Sequence, residues 1–142
     1  EISLGLVGSE MCIRDSYTTT MGILEKVRAH AGDVDFEMQP ELLSLLSSGD
    51  FGRYADEKGE MNVCFISNND ITGGNSGSAM FNARGELLGL AFDGNWEAMS
   101  SDILYEPKMQ RTIGVDVRYM LFMIEKYGKA GNLIQELKIA NP

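Results

Sequence analysis

The chain contains a glycine-rich run, Asp70-Ile-Thr-Gly-Gly-Asn-Ser-Gly-Ser78, which is followed directly by an apolar segment, Ala79-Met-Phe-Asn-Ala-Arg-Gly-Glu-Leu-Leu-Gly-Leu-Ala-Phe92. Gly85 interrupts the apolar segment and marks a turn between two short apolar runs, a pattern typical of a β-hairpin. The β-prone run Met61-Asn-Val-Cys-Phe-Ile66 precedes the glycine-rich run. A strand, a glycine loop and a hairpin in this order favour a β-barrel.

Ser76 lies inside the glycine-rich run and is a candidate nucleophile. A serine hydroxyl is weakly nucleophilic at neutral pH, so it needs a neighbouring base and backbone N–H groups directed at the oxyanion that it creates. Gly74 and Gly77 have no side chain and therefore allow the tight or positive-φ geometry that turns amides toward one point. We expect the amides of Gly74 and Ser76 to form the oxyanion hole.

Three other kinds of loop have a similar composition. Glycine, serine and asparagine are also ordinary turn formers, so the run could be a simple connection between strands. The nucleophile elbow of an α/β-hydrolase requires glycine two residues after the nucleophile, where this chain has Ser78. A phosphate-binding loop would continue into Gly-Lys-Ser/Thr, which is absent from this run.

Composition limits the classes of function. The chain has 142 residues, of which 44% are hydrophobic, and this is enough for one modest domain with a core. Its formal net charge of -9 argues against nucleic acid as a partner, since such proteins present a basic face. No segment approaches the ~18 apolar residues needed to span a bilayer. Nothing in the sequence requires a metal or an organic cofactor.

The first sixteen residues, EISLGLVGSEMCIRDS, lack the periodicity of a helix or strand and the pattern of a signal peptide. Translated back into codons, residues 6–16 resemble a transposon-based sequencing adapter, and residues 1–5 fit the index region that precedes it. We therefore predict that residues 1–16 are a non-native segment and that residues 17–142 form the native part of the chain. DNA sequencing reads that span the Ser16–Tyr17 junction with continuous non-adapter sequence would contradict the prediction that residues 1–16 are non-native.

The remaining elements are predicted from periodicity and turn signals. A strand is expected within 17–27 and a helix after Pro40, at 41–48. A turn is expected at 93–96 and a surface excursion at 97–107. Another strand is expected at 111–117, and helical spacing continues at 119–124 and 133–137.

Three blocks of sequence carry a resemblance to a known family: Asn68-Asn-Asp-Ile-Thr-Gly-Gly-Asn-Ser-Gly-Ser78, Gly85-Glu-Leu-Leu-Gly-Leu-Ala-Phe-Asp-Gly-Asn-Trp-Glu97 and Arg111-Thr-Ile-Gly-Val-Asp-Val-Arg-Tyr119. In this order they resemble the C-terminal part of the bacterial dipeptidyl-peptidase 7 and 11 family, serine peptidase family forty-six. The resemblance implies a mainly β fold, the C-terminal part of a chymotrypsin/trypsin-like double β-barrel with C-terminal α-helices. Ala79 departs from the proline usual in chymotrypsin-like proteases, with a small expected effect on loop rigidity.

The resemblance also implies roles for particular residues. Ser76 matches the nucleophile, and the amides of Gly74 and Ser76 match the oxyanion hole. Asp93 matches an aspartate that binds the free α-amino group of the substrate. Gly94 matches the position that sets preference for the residue before the cut, where members selective for acidic side chains have arginine. Glycine there leaves an uncharged pocket and implies an aliphatic or aromatic preference.

Peptides are the partners that the resemblance implies, in the periplasm or cell envelope of a Gram-negative bacterium. A homodimer is also expected for the full-length protein. The histidine and aspartate of the triad would come from sequence upstream of this chain. His30, the only histidine, lies in a polar stretch and is expected at the surface. A chain of these 142 residues is therefore expected to be inactive by itself.

Two alternatives remain open at this point. One is a periplasmic serine endoprotease of the heat-shock type, whose loop is similar, although Ser78 and the block from Asp93 to Glu97 count against it. The other is a non-catalytic binding domain that keeps the barrel without the triad. A single, poorly placed histidine is the best support for the second alternative.

Overall fold

A computed structural model describes residues 17–100 and 103–140 of the chain. These residues divide into two compact units. Among the described residues, the sheet unit contains Tyr17, 64–100 and 103–117, and the helical unit contains 18–63 and 118–140. The predicted segment 1–16 lies outside the described residues. None of the helices in the described part of the chain is long and apolar enough to cross a membrane.

Five strands form one sheet in the order β1-β2-β5-β4-β3. They are β1 (Tyr17–Thr19), β2 (Asn62–Ser67), β3 (Ala79–Phe81), β4 (Leu87–Gly94) and β5 (Thr112–Asp116). The pairs β2–β5, β5–β4 and β4–β3 are antiparallel. Burial alternates along β2 and β5, as the side-chain period of two in a strand requires.

The core of the sheet unit is small and apolar. Phe65 from β2, Met80 from β3 and Ala91 from β4 are buried together. Ile71 and Leu88 pack against them. Strands β3 and β4 pair on either side of Gly85, which confirms the predicted hairpin. The antiparallel sheet with accompanying helices confirms the predicted fold class.

Two boundaries in the sheet differ from the sequence-based expectation. The strand predicted within 17–27 is only three residues long, because the Thr19 side chain accepts a hydrogen bond from the Gly22 amide and caps a helix. The turn predicted at 93–96 is also wrong at its start. Strand β4 continues through Asp93 and Gly94, which pair with Ile113 and Thr112 of β5 after a register shift that leaves Phe92 unpaired.

The helical unit contains α1 (Thr20–Ala29), α2 (Pro40–Ser47), α3 (Val117–Phe122) and α4 (Gly131–Gln135), with α3 continuing as a π-helical turn at Met123–Tyr127. Helix α2 begins with proline in its first turn and confirms the helix predicted after Pro40. Six buried side chains form the core of this unit: Leu24, Leu46, Phe51, Tyr54, Met61 and Phe122.

A polar contact joins the 3₁₀ turn Gly52–Tyr54 to the π-helical turn. The Tyr54 hydroxyl donates to the Glu125 carboxylate, and an Arg53 guanidinium nitrogen lies 3.2 Å from the same Glu125 oxygen. The hydrogen bond from Tyr54, together with Arg53, lowers the pKa of Glu125 below its ordinary value of 4.5, although partial desolvation opposes the shift. The ionised form of Glu125 is therefore the form that stabilises this unit.

The pH dependence of stability should report this contact. Because the pKa of Glu125 is depressed in the folded state, its contribution is present above 4.5 and is lost as the pH falls through the folded value. We expect Glu125→Gln to flatten the fall in the thermal midpoint of the chain between about pH 5 and pH 3. The matched control is Glu25→Gln, at an exposed glutamate of α1. Equal slopes for both variants and the wild type would contradict the assignment.

Candidate functional site

The glycine loop between β2 and β3 is held by Asn75. The Asn75 amide donates to the carbonyl oxygen of Thr72 at 3.1 Å, and its side-chain Oδ1 accepts from the Thr72 amide at 3.0 Å. The Asn75 carbonyl in turn accepts from the Ser78 amide at 2.9 Å. This reciprocal pattern is typical of asparagine in turns and fixes the loop on both sides of Ser76.

Positive φ angles flank Ser76. Gly74 has φ +95° and Gly77 has φ +88°, values that L side chains rarely adopt. The Gly77 amide donates to the Ala91 carbonyl at 2.7 Å, and the Ala91 amide donates to the Ser78 carbonyl at 2.9 Å. The loop is thus attached to β4 by backbone hydrogen bonds.

Ser76 and the two amides assigned to the oxyanion hole are accessible. The Ser76 side chain is exposed, and its Oγ donates to the Phe92 carbonyl at 3.2 Å. The amides of Asn75, Gly77 and Ser78 are all hydrogen-bonded. In contrast, the amides of Gly74 and Ser76 donate to no acceptor among the residues that the structure describes. These two N–H groups remain available to a ligand.

Asp93 is the next residue in β4 after the one that Ser76 contacts. Phe92, whose carbonyl accepts from Ser76 Oγ, immediately precedes Asp93. Asp93 is exposed, and its Oδ1 accepts from the Gly94 amide at 2.8 Å. The Ser76 hydrogen bond therefore joins the glycine loop, which carries the two unused amides, to the end of β4, which carries the Asp93 carboxylate.

Gly94 faces an apolar neighbour. A Cβ atom placed on Gly94 would lie 2.9 Å from the Ala98 Cβ, 3.6 Å from the Ile71 Cγ2 and 3.7 Å from the Arg111 carbonyl oxygen. The first distance is shorter than real Cβ contacts allow. The three atoms nearest to this point are thus two methyl carbons and one backbone carbonyl oxygen, all uncharged, and the direction that a side chain would take is already occupied by Ala98.

Two amide side chains organise the segment after Gly94. Asn95 Nδ2 donates to the Met109 carbonyl at 2.9 Å, and Asn95 Oδ1 accepts from the Arg111 amide at 2.8 Å. Gln110, only 3% exposed, donates from Nε2 to the carbonyls of Glu97 and Leu104, both at 3.1 Å. Sequence reasoning missed both residues, because their partners are fixed only once the segment has folded back on itself.

Other candidate residues occupy mixed environments. His30 is exposed and stacks on the Phe36 ring at 4.1 Å in the helical unit, which confirms a surface position. Trp96 is 81% exposed, so it does not cap the core of the sheet unit. Asp116 is fully buried, since it belongs to the buried face of β5.

Comparisons with known proteins give matches over most of the chain. The model of the family described as Peptidase S46 matches residues 9–139. The chain is 58% identical over 123 residues to a dipeptidyl-peptidase 7 of Porphyromonas endodontalis, covering 87% of the chain and 15% of that protein. It is 48% identical over 124 residues to an Asp/Glu-specific dipeptidyl-peptidase of Capnocytophaga gingivalis, covering 87% of the chain and 17% of that protein.

A solved structure gives a similar result. The crystal structure of Porphyromonas endodontalis DPP11 in complex with the dipeptide Arg-Asp aligns with a TM-score of 0.81 and 41% identity. The alignment covers 87% of this chain and 17% of that chain. The sequence thus spans about one sixth of the length of the proteins that it matches.

Proposed function

Since the chain belongs to the peptidase S46 family, we propose that it is a segment of a serine-type dipeptidyl-peptidase that releases dipeptides from the N-termini of oligopeptides. One observation carries this proposal. Ser76 is exposed between two positive-φ glycines, next to two amides without a described acceptor, and its Oγ lies 3.2 Å from the carbonyl that precedes Asp93. This arrangement supports a nucleophile, an oxyanion hole and a carboxylate within one site.

The proposed reaction uses these groups in sequence. Ser76 Oγ attacks the carbonyl carbon of the second substrate residue, while a general base takes the hydroxyl proton. The amides of Gly74 and Ser76 stabilise the oxyanion of the tetrahedral intermediate. The amine of the shortened peptide leaves with a proton, and water then hydrolyses the dipeptidyl ester to regenerate Ser76. By the resemblance, the base and the carboxylate that orients it are supplied by sequence upstream of this chain.

Asp93 accounts for the dipeptide length of the product. A carboxylate fixed at a set distance from the nucleophile pairs with the ammonium group of a free N-terminus. A blocked or longer N-terminal extension leaves that carboxylate unpaired, which is costly when it is desolvated. We propose that this ion pair selects a substrate whose second residue reaches Ser76.

The test uses a chimera. In it, the 123 aligned residues of the Porphyromonas endodontalis dipeptidyl-peptidase 7 are replaced by those of this chain. The chimera is expected to cleave dipeptidyl substrates with a free N-terminus and to leave their N-acetylated forms intact. A chimera that folds as a soluble protein yet cleaves no such substrate would contradict the proposal and would favour a non-catalytic domain. The family match favours the dipeptidyl-peptidase over the heat-shock type of endoprotease.

Asp93→Asn in the chimera should lower kcat/KM for free N-terminal substrates by about 100-fold or more, as expected when one partner is removed from a charge pair that the bound substrate shields from water. The substitution keeps the shape and removes the charge. Steady-state kinetics provide the measurement, with Asp70→Asn, at an exposed aspartate of the same unit, as the matched control. An equal loss in both variants, or none in Asp93→Asn, would exclude Asp93 as the group that binds the ammonium.

For the residue before the cut, we propose an aliphatic or aromatic preference. The uncharged surroundings of Gly94 support it. Relatives named dipeptidyl-peptidase 7 are 49–58% identical to the chain, and those named Asp/Glu-specific are 43–48% identical. The competing assignment is an acidic preference, which those Asp/Glu-specific relatives favour. The ratio of kcat/KM for Leu or Phe substrates to that for Asp or Glu substrates, measured on the chimera, decides between them.

A further inference from the structure

The segment that follows β4 folds back over Gly94. After Asn95, the chain forms a 3₁₀ turn at Trp96–Ser100, and the Ala98 amide donates to the Asn95 carbonyl at 2.9 Å. This turn places the Ala98 methyl group 2.9 Å from the point where a Cβ on Gly94 would lie. A side chain at position 94 would therefore collide with a methyl group attached directly to the backbone, which cannot swing aside by changing rotamer.

The position of Ala98 is fixed by the polar contacts of the segment. Gln110 Nε2 donates to the Glu97 carbonyl at 3.1 Å and to the Ser100 Oγ at 3.2 Å, so it holds the residues on both sides of Ala98. Gln110 is nearly fully buried. Moving the 3₁₀ turn would break hydrogen bonds of a buried amide and leave polar groups unsatisfied, which opposes the movement.

We propose that Ala98 is a second specificity-determining residue, which acts together with Gly94 on the side chain before the cut. The inference rests on the proposed function of this site. Ala98 supplies an apolar wall beside Gly94, and Ile71 continues that wall at 3.6 Å from the same point. With alanine at position 98, the site excludes any side chain at position 94, including a charged one, and presents methyl groups to the substrate. Preference is thus set by the pair of positions and not by Gly94 alone.

Because Gly94 and Ala98 act together, we expect their substitutions to have non-additive effects in the chimera. Gly94→Arg alone should lower kcat/KM for Leu and Phe substrates by about 10-fold or more without a matching gain for Asp and Glu substrates, because the 3₁₀ turn has to shift. Adding Ala98→Gly to Gly94→Arg removes the methyl group. The double variant should then gain about 10-fold or more toward Asp and Glu substrates relative to Gly94→Arg alone.

The matched control is Ala83→Gly, at an exposed alanine in the turn between β3 and β4, which should give no such gain when added to Gly94→Arg. Ala98→Val provides an independent readout. It should lower kcat/KM for Phe substrates more than for Ala substrates, whereas a purely structural defect would lower both equally.

The outcomes distinguish a failure of the inference about Ala98 from a failure of the proposed function. If the chimera cleaves dipeptidyl substrates but the effects of Gly94→Arg and Ala98→Gly simply add, or if Ala98→Val lowers all substrates equally, then Ala98 does not determine specificity. The proposed function would stand in that case. If the unmodified chimera is folded and cleaves no peptide, the proposed function fails and this inference fails with it.

Discussion

Ser76→Ala is expected to lower kcat of the chimera by a factor of about 10⁴ to 10⁶, the range seen when the nucleophile of a serine hydrolase is removed. The substitution deletes the oxygen that, by our proposal, forms the acyl-enzyme. The loop should keep its shape, because the hydrogen bonds that hold it use the backbone and the Asn75 side chain. Single-turnover and steady-state rates on a free N-terminal peptide measure the loss.

Ser78→Ala is the matched control for this experiment. Ser78 is an exposed serine of the same loop, and its backbone amide and carbonyl make hydrogen bonds that alanine retains. Its activity should stay within a few fold of the unmodified chimera. Retained activity in Ser76→Ala would exclude Ser76 as the nucleophile. The 142-residue chain alone is expected to be inactive, and hydrolysis by it that Ser76→Ala abolishes would show that an upstream base is unnecessary.

Local signals in the sequence were sufficient to predict the hairpin and the glycine loop that precedes it. Gly85 has φ +74° and allows the turn between β3 and β4, as its position between two apolar runs predicted. Gly74 and Gly77 both adopt the positive φ that their place beside Ser76 predicted. In each case the signal and the structure lie within a few residues of one another, so no distant contact had to be known.

The β4 boundary was misjudged because pairing overrode local turn preference. Asp93-Gly94 is a common turn dipeptide, and position 93 directly follows the residue that leaves the ladder. Strand β5 nevertheless continues alongside and pairs with both residues. A strand partner more than fifteen residues away cannot be inferred from dipeptide preference.

The environment of Gly94 was also beyond the reach of sequence reasoning. Glycine at that position predicted only an uncharged pocket. That Ala98 occupies the missing side-chain direction follows from a 3₁₀ turn held by Gln110, whose partners are spread along the segment from Glu97 to Glu106. Amide side chains have no sequence pattern that distinguishes a buried network from a solvated loop.

Phe122→Ala should cause the largest loss of stability in the helical unit, about 3–5 kcal/mol, because the variant loses apolar burial and leaves a cavity. Phe122 is 0% exposed at the end of α3. Its ring meets those of Phe51 and Tyr54 edge to face, with centroids 5.7 Å and 6.0 Å apart. Such pairs add to the energy of burial, so removing the ring weakens both partners.

Urea denaturation followed by circular dichroism measures the effect of Phe122→Ala on the free energy of unfolding. Phe122→Leu should fall between the wild type and the alanine variant, because leucine keeps the apolar character and leaves a smaller cavity. Leu133→Ala is the matched control, since Leu133 in α4 is 48% exposed and has less burial to lose. If Phe122→Ala and Leu133→Ala shifted the transition equally, the aromatic contacts of Phe122 would not be the centre of this core.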